Sequence, residues 1–107
     1  MIVCLRTVAV PDGERARYLD WIEENRDVRQ EHGIVLEWVL EPSAGETVVV
    51  TAWPSDEKFD AWIATPERDR LTASAVHRAV EYRPLTRYTR VGGYTNLAAL
   101  AAVEEER

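Results

Sequence analysis

The chain has 107 residues, 13 basic against 19 acidic side chains for a formal charge of −6, 46% hydrophobic content and one cysteine. That length suits one domain with a single core, and the acidity argues against a nucleic-acid or anionic-membrane partner, since both need a basic face. One cysteine neither staples a fold nor builds a zinc site, so Cys4 reads as a small buried residue in a reducing compartment.

Residues 1–5 lack a basic lead-in and Arg6 ends the apolar run, so no signal peptide is expected. No segment approaches the roughly 20 apolar residues of a membrane span, and the expected location is cytoplasmic.

Residues 2–10 read as a first strand, with Ile2, Cys4, Val8 and Val10 on one face, interrupted by Arg6, and Val3, Leu5, Thr7 and Ala9 on the other. After Pro11-Asp12-Gly13 a long helix is expected over 13–31, its inner stripe Ala16, Leu19 and Ile22, with Arg26 and Arg29 facing water and Gly33 as a left-handed cap. A second strand over 34–40, a turn over 41–46 and a β-branched strand over 47–53 make an antiparallel pair. Pro54 stops that strand, Ser55 caps a helix opened by Asp56 and Glu57, and Phe59, Trp62 and Ile63 share a face. Thr65-Pro66 restarts the helix, which then carries Ala73, Val76, His77 and Val80 until Pro84 ends it. Residues 85–91 supply a fourth strand, and Asn96 caps a tail helix whose terminal acids oppose its dipole and should fray.

The order β-α-β, β-α-β predicts an α+β, ferredoxin-like split unit: a four-stranded antiparallel sheet with helices on one face. The other face carries large apolar residues such as Trp38 or Trp53, which calls for a second copy. A domain over 1–95 and a helical tail over 96–107 follow.

There is no glycine-rich phosphate loop, no paired-histidine metal pattern and no Ser/His/Asp signature, so no metal or cofactor is expected. His32 is expected to be exposed at its helix end. His77 is either a general base or orienting partner in a pocket between helix and sheet, or a half-buried histidine bonded to a backbone carbonyl. Trp21, Trp38, Trp53 and Trp62 are core and interface, or the walls of an aromatic pocket with polar groups from Arg6, Tyr82, Tyr88 and Arg90. Arg6 in a core needs an anionic ligand or a paired carboxylate such as Glu37.

The strand-end Trp53, the Ser55-Asp56-Glu57 helix start and the Phe59/Trp62 face resemble the antibiotic biosynthesis monooxygenase-like domains, which are dimeric α+β barrels. The resemblance implies a cofactor-independent monooxygenase acting on a small aromatic, polyketide-like metabolite, working as a homodimer. Trp53 matches that family's strand tryptophan, while its asparagine and tyrosine registers fall on Val49 and Phe59, and Arg70 is a loose match to its arginine. Among haem-degrading members Trp62 matches the helix tryptophan, but Thr72 stands at the axial-histidine position and Arg6-Thr7 near the first-strand asparagine, so haem degradation is not expected. The candidate set is catalytic His77, Trp53 and Arg6, with substrate contacts from Trp38, Tyr88, Phe59 and Trp62. The alternative is a non-catalytic small-ligand-binding dimer on the same scaffold.

Overall fold

A computed structural model describes residues 1–43 and 45–105. Strand β1 (Ile2–Ala9) is followed by a 3-10 turn (Asp12–Glu14) and helices α1 (Arg15–Glu24) and α2 (Arg26–Glu31). Strands β2 (Leu36–Leu40) and β3 (Thr47–Trp53) follow, then helices α3 (Asp56–Ile63), α4 (Pro66–Thr72) and α5 (Ala75–Arg78). Strands β4 (Glu81–Tyr82) and β5 (Thr86–Thr89) and helix α6 (Leu97–Glu105) complete the chain. The turn expected over 41–46 includes Ala44, which lies outside the described residues, as do Glu106 and Arg107.

The strands form an antiparallel sheet ordered β2-β3-β1-β4, with β5 also on β1. This is the α+β, ferredoxin-like arrangement. The expected fourth strand over 85–91 is present as β5, on Ile2 to Leu5, and a short strand that was not expected, β4, precedes it on Val8 and Ala9 and makes the sheet five-stranded. Pro84 therefore separates two strands rather than ending a helix; it has no N–H to give to a ladder.

Both expected long helices are broken by local side-chain chemistry. Asn25 turns its side-chain amide and its backbone N–H onto the same Trp21 carbonyl, at 2.8 and 3.2 Å, so the helical ladder stops there. Ser74 accepts from the His77 N–H at 3.2 Å and starts α5 afresh. The capping expected at Ser55 and Thr65 is present: each side-chain oxygen accepts from the N–H three residues on, at 3.2 Å. Gly33 and its φ of 96° close α2 as expected. Asn96 caps α6 by accepting from the Ala99 N–H at 3.1 Å. The helix continues through Glu105, further than the opposed dipole suggested. Most of α6 is exposed.

The inward face of α1 differs from the expected stripe, and the break at Asn25 resets that of α2. Tyr18 is buried and Trp21 and Ile22 half-buried, while Ala16 and Leu19 are exposed. Arg29, expected in water, is buried.

Pairing of Ile2 with Trp53, Cys4 with Thr51 and Arg6 with Val49 puts all six on the helix-covered face of the sheet. The core there falls into two clusters. Ile2, Cys4, Trp53, Phe59 and Trp62 form one; Val8, Tyr18 and Val80 form the other. Arg6 sits on β1 between Cys4 and Val8, at the seam. Leu36, Trp38 and Leu40 alternate onto the opposite face with Val48 and Val50.

Candidate functional site

At the seam, between the sheet and helices α3 and α4, lies a cavity of about 170 Å³. A guanidinium cannot interdigitate with apolar side chains as Val8 or Cys4 does, so the two clusters do not close over Arg6. The walls from the first cluster are Cys4, Trp53, Phe59 and Trp62; Val8 and Tyr18 come from the second; Arg6, Arg68 and Tyr82 are among the polar groups.

The aromatic wall is ordered. Trp53, 1% exposed, stacks on Trp62 with centroids 6.2 Å apart and meets Phe59 at 5.5 Å. Trp53 Nε1 donates to Thr51 Oγ1 at 3.3 Å. Outside this wall, Arg87 covers Phe59 at 4.7 Å and is held by Asp56 at 2.9 Å and Asp60 at 3.3 Å. The His32 ring packs on Trp62 at 5.1 Å, so this histidine is half-buried rather than free at its helix end.

Opposite stands the polar group. The Arg6 guanidinium lies 5.8 Å from the Tyr82 ring centroid. Its buried Nε has no hydrogen-bond partner among the described residues, while the buried Tyr82 hydroxyl interacts with that of Tyr18 without reaching ordinary hydrogen-bond geometry. Burial, and then the neighbouring Arg68, disfavour the Arg6 charge. Burial, and then Tyr18, push the Tyr82 phenol well above its usual range. Burial raises the Cys4 thiol, which stays protonated and unreactive.

Glu37 does not pair with Arg6 as the sequence suggested. It belongs to Arg29, whose Nε and Nη2 reach Glu37 Oε1 at 3.0 and 2.7 Å, with Nη2 also on the Ile22 carbonyl. Burial raises the Glu37 carboxyl and Arg29 opposes the rise.

Of the expected site residues, Trp53, Phe59, Trp62 and Arg6 meet in this cavity. His77 does not line it. Its ring stacks behind Tyr82, centroids 4.2 Å apart, with Trp21 beyond at 5.8 Å. Burial, then Arg68 and Arg6, lower its pKa, so it is neutral near pH 7. Trp38 and Tyr88 are separated from the others by the sheet: strand alternation places both on the outer face, 43% and 53% exposed. Arg90 bonds to the carbonyls of Gly92 and Gly93 instead. Arg70 is exposed; Arg68 is the arginine that reaches the cavity, because Pro66 restarts the helix and shifts its phase. That Thr65-Pro66 signal was readable. Arg29 lies beyond the break at Asn25, which changes its face; Tyr18 lies before it, beside the stripe drawn through Ala16 and Leu19.

The residues present do not fit haem. The volume is below the roughly 300–1,000 Å³ of sites for drug-sized ligands, His77 is shielded by Tyr82, and Thr72 Oγ1 donates to the Asp69 carbonyl at 3.1 Å. Among the described residues no three His, Cys, Asp or Glu side chains gather where they could hold a metal, and no helix is long and apolar enough to cross a membrane.

Similar folds are known. The chain superposes on a heme-degrader, MhuD from Mycobacterium tuberculosis, with a TM-score of 0.71 and 21% identity over 89% of this chain and 100% of that one. A candidate antibiotic biosynthesis monooxygenase from Deinococcus radiodurans gives 0.70 and 18%, covering 89% and 97%. SnoaB, a cofactor-independent oxygenase from Streptomyces nogalater, gives 0.64 and 16%, covering 86% and 92%. No curated protein sequence matches significantly. The profile of the family described as antibiotic biosynthesis monooxygenase matches residues 1–73, which carry β1 through α4 and every expected residue found in the cavity, and the chain belongs to that family.

Proposed function

We propose that this chain is a cofactor-independent monooxygenase-like enzyme that oxidises a small aromatic metabolite, and that it works as a homodimer. The observation that carries this reading is the cavity itself: an aromatic wall of Trp53, Phe59 and Trp62 faces a half-buried Arg6 whose buried Nε has no hydrogen-bond partner among the described residues. Trp53 and its neighbours hold the ring. Arg6 favours the deprotonated substrate, because a guanidinium in a poorly hydrated site stabilises an adjacent oxyanion far better than in water. The substrate does the electronic work. Its ring carbon loses a proton to solvent; the carbanion passes one electron to O₂; the two radicals join as a peroxide. Loss of water from the protonated hydroperoxide leaves a carbonyl, so one oxygen atom ends in product and the other in water. His77, neutral and stacked behind Tyr82, acts as a positioning residue that fixes the phenol beside Arg6.

Oxygen uptake by metal-free protein with small phenols tests this. Arg6→Gln should slow turnover by about 10²–10³, as loss of one oxyanion donor does elsewhere, and Trp53→Ala should also impair it. Uptake no faster than buffer across the series overturns the oxygenase reading. The second reading, a non-catalytic ligand-binding dimer, is favoured by one observation: among the described residues no carboxylate or imidazole lines the cavity to take a proton.

The dimer is supported by the outer sheet face, where Trp38, Leu40 and Tyr88 stand exposed beside Leu36, Val48 and Val50. Two such faces stacked would bury them. Trp38→Glu should yield monomers by light scattering; a wild-type monomer at micromolar concentration overturns the assembly.

A further inference from the structure

Six of the arginines, Arg15, Arg17, Arg26, Arg29, Arg83 and Arg87, are in ion pairs. Arg6 and Arg68 have no ion pair among the described residues, although acidic side chains outnumber basic ones in the chain. Both line the cavity, and no Asp or Glu among the described residues lines it. Arg68 is close enough to add to the cost of the Arg6 charge. Two unneutralised guanidinium groups beside a carboxylate-free hollow are costly without an anion between them.

The volume limits what that anion carries. A dry cavity of about 150 Å³ holds one benzene ring, and this one is about 170 Å³. A single ring with one small substituent fits; a fused tricycle does not. The unsatisfied donor on Arg6 is Nε. The side of a guanidinium that presents Nε and one Nη matches the two oxygens of a planar carboxylate.

We propose that the cavity takes a single-ring aromatic carboxylate of the benzoate type, its ring against Trp53, Phe59 and Trp62 and its carboxylate between Arg6 and Arg68. The proposal rests on the reading of this cavity as a substrate or ligand site, and it names the class. In the proposed reaction the same guanidinium then has two duties, anchoring the carboxylate through Nε and one Nη and favouring an ionised ring oxygen through the other Nη.

The test is titration calorimetry and tryptophan fluorescence on the whole protein, with benzoate, its neutral isostere benzamide, acetate, and 9-anthracenecarboxylate. Benzoate should bind one per chain and perturb the fluorescence, with benzamide and acetate at least about tenfold weaker. Arg6→Gln and Arg68→Gln should each weaken benzoate by about tenfold or more and leave benzamide unchanged, a difference that a general loss of fold would not give. Arg6→Lys, which keeps the charge but not the fork, should fall between. Benzamide binding as well as benzoate, or benzoate binding indifferent to both arginines, would overturn the anion assignment, and tighter binding of the tricycle would overturn the single-ring limit; each leaves a ligand site in place. Failure of every compound to bind at millimolar concentration would overturn both this class and the reading of the cavity as a site for small aromatics. Oxygen uptake is scored separately, so a catalytically silent protein that binds benzoate upholds the proposal.

Discussion

Arg29 and Arg6 border the same cavity and have opposite surroundings. Arg29, 7% exposed, spends its donors on Glu37 and the Ile22 carbonyl. Arg6 has Tyr82 beside it, Arg68 near it, and a buried Nε with nothing to bond. A buried charge with a full set of partners ties α2 to β2 and belongs to the fold. One whose buried Nε has no partner burdens the fold, and the proposed ligand site is the reason offered for keeping it. On that proposal the contrast separates a structural from a functional arginine.

The contrast breaks most visibly at Glu37. Glu37→Ala leaves Arg29 charged and buried, and should cost about 3–5 kcal/mol in denaturant unfolding; a loss under about 1 kcal/mol would show that Arg29 finds water instead. Asn25→Ala comes next. It removes the side-chain bond to the Trp21 carbonyl that ends α1 and sets the phase of α2, and should cost about 0.5–1.5 kcal/mol. No change would mean that the bend is imposed by packing of Tyr18 and Arg29 alone. Arg6→Leu should go the other way, leaving stability unchanged or raising it by up to about 1 kcal/mol while benzoate binding is lost. A loss comparable to that of Glu37→Ala would make Arg6 structural too.

The smallest effect is on pH dependence. The folded chain holds the His77 pKa below the ordinary value of 6.5, through burial first and then Arg68 and Arg6. Between the folded value and 6.5 the unfolded state binds more protons, so stability is present above that window and falls as pH drops through it. Melting temperature against pH should show this slope in the wild type and a shallower one in His77→Gln. Identical slopes would place the acid sensitivity elsewhere.

Local chemistry was legible where it is short-range. The stop at Pro54, the Ser55 and Thr65 caps and the buried Phe59/Trp62 face follow from residues within four positions of one another, and the structure has each. Asn25 and Ser74 were equally local and were overlooked, because a hydrophobic stripe could be drawn through both breaks. The partner of Arg6 could not be read at all: whether Glu37 reaches Arg6 or Arg29 depends on how α2 sits over the sheet, and pairing of residues eight apart across a turn is not written in either segment's period.

By itself the sequence determined the β-α-β, β-α-β frame, the antiparallel pairing of β2 with β3, the alternation that sets Ile2, Cys4, Arg6 and Val8 on one face of β1, and the shared face of Phe59 and Trp62, since backbone sterics, capping and periodicity act over a few residues. Only the tertiary structure decided that Trp38 and Tyr88 lie across the sheet from Trp53, that His77 is screened by Tyr82, and that Arg68 rather than Arg70 meets Arg6. Those outcomes depend on helix phase after each break and on which face of the sheet the helices cover. Both are settled by packing two apolar clusters around a charge that neither can absorb.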